Sequence, residues 1–187
     1  MSVYETEQQY IDLRSIRLSG RILDIGGGGE GVITRHSGDR VVAIDLRKDE
    51  LDEIPDAALK IVMDARELGF LDNSFYCATC FFSMMYMDES TQRMVISEIH
   101  RVLKPAGELW IWDVIIPEQI EAEVFVAQLN VQISDDEAVT PGYGVGWTRS
   151  QSIDSIMQMC IDKGFVINET SRMRQSFVLR VWKEGYD

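Results

Sequence analysis

The sequence predicts an α/β fold in which a mostly parallel, doubly wound sheet is covered by helices on both faces. Short apolar runs alternate with helical patterns across residues 21–116, at the spacing of successive βαβ units. A glycine run at residues 26–29 directly follows the first apolar run, and an acidic residue ends each of the next two. Because ligands bind such sheets at the carboxyl ends of their strands, these features predict one nucleotide site at that edge.

Seven strands account for the apolar runs. The first five are short and rich in branched or aromatic residues, which is typical of buried strands in a parallel sheet. They are predicted at residues 21–25, 41–45, 59–63, 75–82 and 108–116. Two further runs, residues 165–169 and 177–182, flank a polar segment. They predict an antiparallel hairpin at the C-terminus.

Helices are predicted between and after these strands. A short helix should follow the glycine run and end at the Ser37-Gly38-Asp39 turn, and residues 90–103 carry a clear helical period. Thr148 and Gln151 have the spacing of a capping box, so the last helix is predicted to begin there and to end at Gly164.

Two segments fall outside the alternating pattern. Residues 1–20 are polar and weakly patterned, which predicts a short helix or a loose arm. The second segment, residues 118–147, begins with a helix-like stretch that holds Ile120, Val124, Phe125 and Leu129. Because it is too short for a core of its own, we interpret it as an insertion over the site within a single domain of residues 1–187.

Composition restricts the partner and the compartment. The net charge of −13 argues against nucleic acid and anionic membranes as partners, since phosphate binding relies on clustered Lys and Arg. The N-terminus lacks the pattern of a signal peptide and no apolar run reaches the length of a membrane span, so a cytoplasmic protein is expected. Cys77 and Cys80 have a C-x-x-C spacing, but their apolar strand and the lack of a second Cys/His pair favour buried thiols over a zinc site.

The glycine run alone does not identify its ligand. Gly26, Gly28 and Gly31 match a dinucleotide fingerprint, and an acid at the end of the next strand could bind a ribose, so an NAD-dependent oxidoreductase is one candidate. Asp24, however, places a carboxylate just before the glycines, which suits a cationic ligand better than a pyrophosphate. Asp64 adds a further acid at the end of the third strand.

Taken together, these features resemble the class I S-adenosylmethionine-dependent methyltransferases, particularly the compact type that acts on small molecules. The matching stretches lie between residues 21 and 113 and read I-L-D-I-G-G-G-G-E-G, V-V-A-I-D, V-M-D-A-R and E-I-H-R-V-L-K-P-A-G-E-L. The resemblance implies a Rossmann-like fold, S-adenosylmethionine as cofactor and methyl transfer by in-line displacement. Three positions depart from the family pattern. Glu30 stands where the shortest pattern has glycine, Tyr76 stands where the family often has Asp after Phe, and Ala106 replaces a common glycine.

The resemblance also implies which residues hold the cofactor. The glycine turn would hold its methionine part, Asp24 its amino end, and Asp45 both ribose hydroxyls. Leu46, Asp64 and Ala65 would surround the adenine, and Phe81 would lie beside the methionine part. The full predicted set is Asp24, Gly26, Gly27, Gly28, Gly31, Asp45, Leu46, Asp64, Ala65 and Phe81.

Few catalytic groups would be needed, because a sulfonium methyl group is already a strong electrophile and alignment of the acceptor supplies much of the rate enhancement. A base is needed only for an acceptor that arrives protonated, and the candidates are Tyr86, Tyr143 or an acid from the 118–147 insertion. Tyr143 could instead face a cation or pin the glycine-rich loop. The acceptor is predicted to be a small molecule. A protein that binds S-adenosylmethionine without catalysis is a further alternative, since no obvious base is present.

Overall fold

The computed structural model of the chain describes residues 2–119 and 122–185. The strands are β1 (Val3–Glu5), β2 (Gln9–Asp12), β3 (Ile22–Ile25), β4 (Val41–Asp45), β5 (Leu59–Val62), β6 (Phe75–Phe81), β7 (Leu103–Val114), β8 (Val124–Gln132), β9 (Ala138–Val139), β10 (Gly142–Gly146), β11 (Phe165–Met173) and β12 (Ser176–Lys183). The helices are α1 (Val32–Ser37), α2 (Lys48–Glu53), α3 (Glu89–Val102) and α4 (Ile153–Lys163), with 3-10 turns at Gly38–Arg40 and Met84–Tyr86.

The larger sheet has seven strands in the order β11-β12-β7-β6-β3-β4-β5. Strands β3 to β7 run parallel, whereas β12 pairs antiparallel with both β7 and β11. The predicted seven-stranded sheet with its C-terminal hairpin is therefore confirmed. The chain runs outward from β3 to β5 and then returns to β6 on the other side of β3, so the strand order reverses between β3 and β6. Ligands bind at such a point in open α/β sheets.

Side chains of the larger sheet alternate between two cores, as the period of a strand requires. In β7, Leu109 and Ile111 pack in the core beneath α3 and α4, whereas Trp110 and Trp112 face the other side and stack at 5.3 Å. The second core holds α1 and also a small second sheet, which occupies the position of a covering helix. Cys77, Cys80 and Cys160 are buried free thiols of these cores.

The second sheet corrects the prediction for residues 118–147. This segment was expected to begin as a helix, but β8 forms there, and Phe125 and Leu129 alternate with half-buried neighbours along it. The spacing of Val124, Phe125 and Leu129 is compatible with the period of a helix and with that of a strand. The residues that are buried in the structure, however, alternate as only a strand allows: Phe125, Ala127, Leu129 and Val131. Ile120, which was assigned to the same helix, lies outside the described residues.

The N-terminal arm is also not a helix or a loose segment. β1 and β2 both pair parallel with β8, and β10 and β9 pair antiparallel with it. Ile11 and Leu13 anchor the arm in the core, each about 1% exposed. The prediction was wrong because the hydrogen-bonding partner of the arm is distant in sequence, and no local pattern reports it.

The last helix begins later than predicted. Ser152 is the N-cap of α4 and forms a capping box with Ser155, so the proposed box of Thr148 and Gln151 is wrong. The predicted end at Gly164 is confirmed, since Gly164 takes a left-handed conformation with φ of 101°. Among the described residues, no helix is both long and apolar enough to cross a membrane.

Candidate active site

A cavity of about 740 Å³ opens where the strand order reverses, at the carboxyl ends of β3, β4, β5 and β6. Its volume falls within the range of about 300–1,000 Å³ that is usual for small-molecule sites. Residues from the glycine turn, from the ends of the neighbouring strands and from β10 of the small sheet line it. The cavity is thus bounded below by the large sheet and on one side by the small one.

The glycine turn forms a cradle that side chains would fill. Gly26 and Gly29 have φ of 67° and 66°, a conformation that glycine adopts without strain. A Cβ atom on Gly27 would lie 2.5 Å from Asp24 Oδ2, and one on Gly28 would lie 2.5 Å from Glu50 Cβ. Only a bare main chain fits here, so a ligand in the cavity can approach the backbone directly.

Asp24 lies at the cavity floor within β3 and is 2% exposed. The hydroxyl of Thr79 donates to Asp24 Oδ1 at 2.7 Å. Burial raises the pKa of Asp24 to about 7, with a smaller contribution from the charge of Asp45, while the Thr79 hydrogen bond opposes the shift. A cation bound beside Asp24 would favour its ionised form, so this carboxyl can switch from neutral to charged when a cationic ligand binds.

The ends of β4 and β5 supply two further acids. Asp45 Oδ1 accepts the main-chain N–H of Arg47 at 2.9 Å and leaves Oδ2 toward the glycine turn, 3.0 Å from where a Gly28 Cβ would lie. Asp64 accepts hydrogen bonds from the guanidinium and the main chain of Arg66, which lower its pKa. Leu46 follows Asp45 in the chain, lines the same cavity and is 65% exposed. An apolar surface flanked by acceptors suits a flat heterocycle with a ribose.

Phe82, just after β6, has a strained backbone. Its φ is 51°, which is rare for a bulky residue and marks many functional sites. The main-chain N–H of Phe82 donates to the Trp112 carbonyl at 2.7 Å, which holds the strained turn in place. Ser83 is thereby pressed against Gly26, and its buried hydroxyl has no hydrogen-bond partner among the described residues. Both residues line the cavity, and sequence reasoning missed both of these features.

Tyr143 of β10 closes one side of the cavity. Its hydroxyl donates to Glu30 Oε2 at 3.1 Å, and its ring stacks on Phe82 with 5.7 Å between centroids. Burial, followed by the charge of Glu30, raises the pKa of Tyr143 far above its usual value. Although 52% of Tyr86 is exposed, desolvation of its phenol raises its pKa to about 12, and Asp113 adds to the shift. Both phenols therefore stay protonated at neutral pH and act as hydrogen-bond donors.

A buried polar network supports the turn that carries Tyr86. Asp113 is fully buried at the end of β7 and accepts the Met85 N–H at 3.2 Å and the Gln151 amide at 2.9 Å. Gln92 donates to the Met84 carbonyl at 2.9 Å and to Gln151 Oε1 at 2.8 Å. Burial raises the pKa of Asp113 to about 7. An acid within the apolar run W-I-W-D-V-I-I was the signal that could have revealed this network.

The structure brings most of the predicted site together. Most of the residues predicted from the sequence line the cavity: Asp24, Gly26, Gly27, Gly28, Asp45, Leu46, Asp64, Ala65, Phe81, Tyr86 and Tyr143. Gly31 is not in the lining: it is the N-cap of α1, with φ of 59°, and a Cβ there would lie 2.8 Å from Ile54 Cβ. The contacts of these residues with a cofactor stay predictions.

Comparisons with known proteins agree with this geometry. Residues 23–111 match the family model described as a methyltransferase domain, and no curated protein matches the sequence. An S-adenosylmethionine-dependent methyltransferase from Methanosarcina mazei is similar, with 19% identity, a TM-score of 0.68, and 91% of this chain and 95% of that chain covered. One from Mesorhizobium loti has 14% identity, a TM-score of 0.63, and coverage of 90% and 94%. The [4+2]-cyclase SpnF has 17% identity, a TM-score of 0.65, and coverage of 92% and 78%. At these identities the three structures share the fold.

Proposed function

We propose that this chain is a class I S-adenosylmethionine-dependent methyltransferase that moves the methyl group of its cofactor to a small-molecule acceptor. S-adenosylmethionine is the cofactor, and the match of residues 23–111 to a methyltransferase domain argues against the dinucleotide alternative. The small-molecule acceptor is the finer part of the proposal.

The residues of the cavity fit this cofactor. The Gly27 and Gly28 cradle admits a ligand that lies against the main chain, since a Cβ at either position would collide with a neighbour. Asp24 would receive the cofactor's ammonium group, and Asp45 its ribose hydroxyls. Exposed Leu46 offers an apolar surface to the adenine. When bound, the cofactor supplies a methyl group on positively charged sulfur, which is the electrophile of the reaction.

The protein's part in the reaction is binding, alignment and exclusion of water. Displacement at the methyl carbon requires an acceptor held in line with the carbon–sulfur bond, and fixing that geometry removes a large entropic cost. Phe82 and Tyr143 shape the side of the cavity next to β6, where the acceptor would lie. Because Tyr86 and Tyr143 keep their protons, we do not assign either as a base. Their hydroxyls are instead placed to donate hydrogen bonds.

The observation that carries the choice of a small acceptor is the position of β10. Tyr143 bridges from the small sheet to Glu30 of the glycine turn, so this side of the cavity is walled rather than open to a macromolecular surface. The net charge of −13 supports the same choice, because nucleic acids and anionic membranes would be repelled. We therefore propose a small-molecule substrate and neither of those partners.

The test combines binding with product detection. Isothermal titration calorimetry should show binding of S-adenosylmethionine and S-adenosylhomocysteine, and no comparable binding of NAD. Mass spectrometry should then detect methyl transfer within a panel of small amines, alcohols, thiols and carboxylic acids. Cofactor binding without transfer to any class would contradict the proposal and favour a binding protein that does no chemistry, an alternative motivated by the protonated phenols of the cavity.

A further inference from the structure

We propose that the acceptor is a small amine, recognised at its nitrogen by Glu30 together with the rings of Phe82, Tyr86 and Tyr143. This inference rests on the proposed function, because it names the acceptor class of the same cavity. Three observations support it: the Glu30 carboxylate has no cationic partner, Glu30 lies on the β6 side of the sheet, and aromatic rings surround it.

Glu30 carries a charge that the protein does not neutralise. Two other acids of the cavity are paired, Glu50 with Arg47 at 3.0 Å and Asp64 with Arg66 at 2.6 Å. Within residues 2–119 and 122–185, no cationic side chain lies within 4.0 Å of the Glu30 carboxylate. The nearby Arg35 donates to the Glu30 main-chain carbonyl and directs its guanidinium to Glu137 instead. A half-buried carboxylate without a cation is suited to a cationic ligand.

The sheet order separates Glu30 from the acids assigned to the nucleoside. Asp45 and Asp64 follow β4 and β5, which lie on one side of β3, whereas Phe82 and Tyr86 follow β6 on the other side. The Tyr143 hydroxyl contacts Glu30, and the Tyr143 ring stacks on Phe82, so Glu30 belongs to the β6 side. The acceptor should lie there, since the ribose and adenine of the cofactor are expected to occupy the other side.

Aromatic rings on the same side favour a cation rather than an anion. Phe82 and Tyr143 stack at an interplanar angle of 28°, and Tyr86 completes the lining near them. The face of such a ring attracts a positive charge, and the attraction grows when water is excluded. The Tyr143 hydroxyl donates a hydrogen bond to Glu30 Oε2, which also fixes the carboxylate beside these rings.

An amine acceptor is compatible with a cavity whose phenols keep their protons. An aliphatic amine enters as an ammonium ion, which Glu30 and the rings attract, and it gives one proton to solvent water before it reacts. The lone pair of the resulting neutral nitrogen forms the new nitrogen–carbon bond as the carbon–sulfur bond breaks, and sulfur keeps the bonding pair. The positive charge thus moves from sulfur to nitrogen, and the products are a methylated ammonium ion and the neutral thioether S-adenosylhomocysteine. Glu30 and the rings would lie beside the nitrogen on which this charge develops, which would lower the barrier by electrostatic stabilisation.

The experiment compares matched acceptors and matched variants. Amines should be methylated, whereas alcohols and thiols of the same carbon skeleton should not. Tetramethylammonium, which cannot accept a methyl group, should inhibit competitively against the amine, and neutral tert-butanol should not. Glu30→Gln keeps the shape and the Tyr143 contact, and should lower kcat/KM for the amine roughly tenfold to hundredfold and weaken tetramethylammonium inhibition to a similar degree. Affinity for S-adenosylhomocysteine should stay within about twofold of the wild-type value.

Glu137→Gln is the control, because Glu137 pairs with the same Arg35 but does not line the cavity. It should leave kcat/KM unchanged. Methylation of alcohols or thiols in preference to amines would overturn the amine inference while leaving the proposed function intact. A Glu30→Gln variant that loses cofactor affinity as strongly as kcat/KM would assign Glu30 to the cofactor and overturn it too. Transfer to no acceptor at all would count against the proposed function itself.

Discussion

Replacing Asp24 by asparagine should stabilise the cofactor-free protein at high pH and weaken cofactor binding at the same time. The pKa of Asp24 is about 7 in the folded protein and 3.8 when unperturbed. Between these values the folded state binds more protons than the unfolded state, so the free energy of unfolding falls as pH rises. The carboxyl costs the fold about 2 kcal/mol at pH 5 and about 4 kcal/mol at pH 8.

Asparagine cannot ionise, and its oxygen can still accept from Thr79. The difference in unfolding free energy between Asp24→Asn and wild type should therefore grow by about 2 kcal/mol from pH 5 to pH 8. Urea denaturation followed by circular dichroism at both pH values measures this change. In wild type, S-adenosylmethionine binding near pH 6 should release a proton, which calorimetry detects by comparing buffers of different ionisation enthalpy. Asp24→Asn should abolish that release and lower cofactor affinity at pH 8 at least tenfold.

Asp113→Asn is the matched control. Burial also raises the pKa of Asp113 to about 7, so this variant should show the same trend with pH. Asp113 does not line the cavity, so cofactor affinity should be largely retained. A difference between Asp24→Asn and wild type that does not change from pH 5 to pH 8 would refute the reasoning, because a buried carboxyl with a raised pKa must produce it.

Three further substitutions follow from the cavity and its strands. Asp45→Ala should raise the dissociation constant of S-adenosylhomocysteine roughly tenfold to hundredfold by calorimetry, and an unchanged value would remove Asp45 from the site. Gly27→Ala should abolish binding and lower stability by about 1–3 kcal/mol, since its Cβ would lie 2.5 Å from Asp24 Oδ2, whereas Gly146→Ala, with open space around its Cβ, should change neither. Ala106→Gly should raise the unfolding midpoint by an amount equivalent to about 1 kcal/mol, because Ala106 has φ of 59°, and a lower midpoint would contradict this account.

The strands that carry the residues proposed for the nucleoside could be predicted from sequence because each is encoded locally. A short apolar run with a turn on either side was enough to locate β3, β4 and β5, and the acids at their ends followed from strand direction alone. Trp110 and Trp112 are two residues apart on β7, so the period of a strand puts both on one face, where they stack. The structure also gives a reason for the glycine that the family pattern has at position 106. Ala106 has a positive φ, which glycine adopts without strain.

The small sheet and the β6 side of the cavity could not be predicted in the same way. Each strand of the N-terminal arm pairs with a strand far away in the chain, so its local sequence resembles a loop. The positive φ of Phe82 depends on its hydrogen bond to Trp112, and the unpaired state of Ser83 depends on how that turn packs against Gly26. Tyr143 was found as a candidate, but its partner Glu30 was visible only once β10 had been placed.

The pairing of β8 with the N-terminal arm has a consequence for the order of folding. Val3 pairs with Val124 and Gln9 with Leu129, so these contacts close loops of more than a hundred residues. Closing such loops is entropically costly, and contacts at this separation slow folding. On the ribosome, β3 to β7 are synthesised before β8, so β1 and β2 stay unpaired until β8 has been made. The nascent chain can thus form the glycine turn and the parallel strands first, and the side of the cavity that carries Tyr143 only when synthesis has passed residue 146.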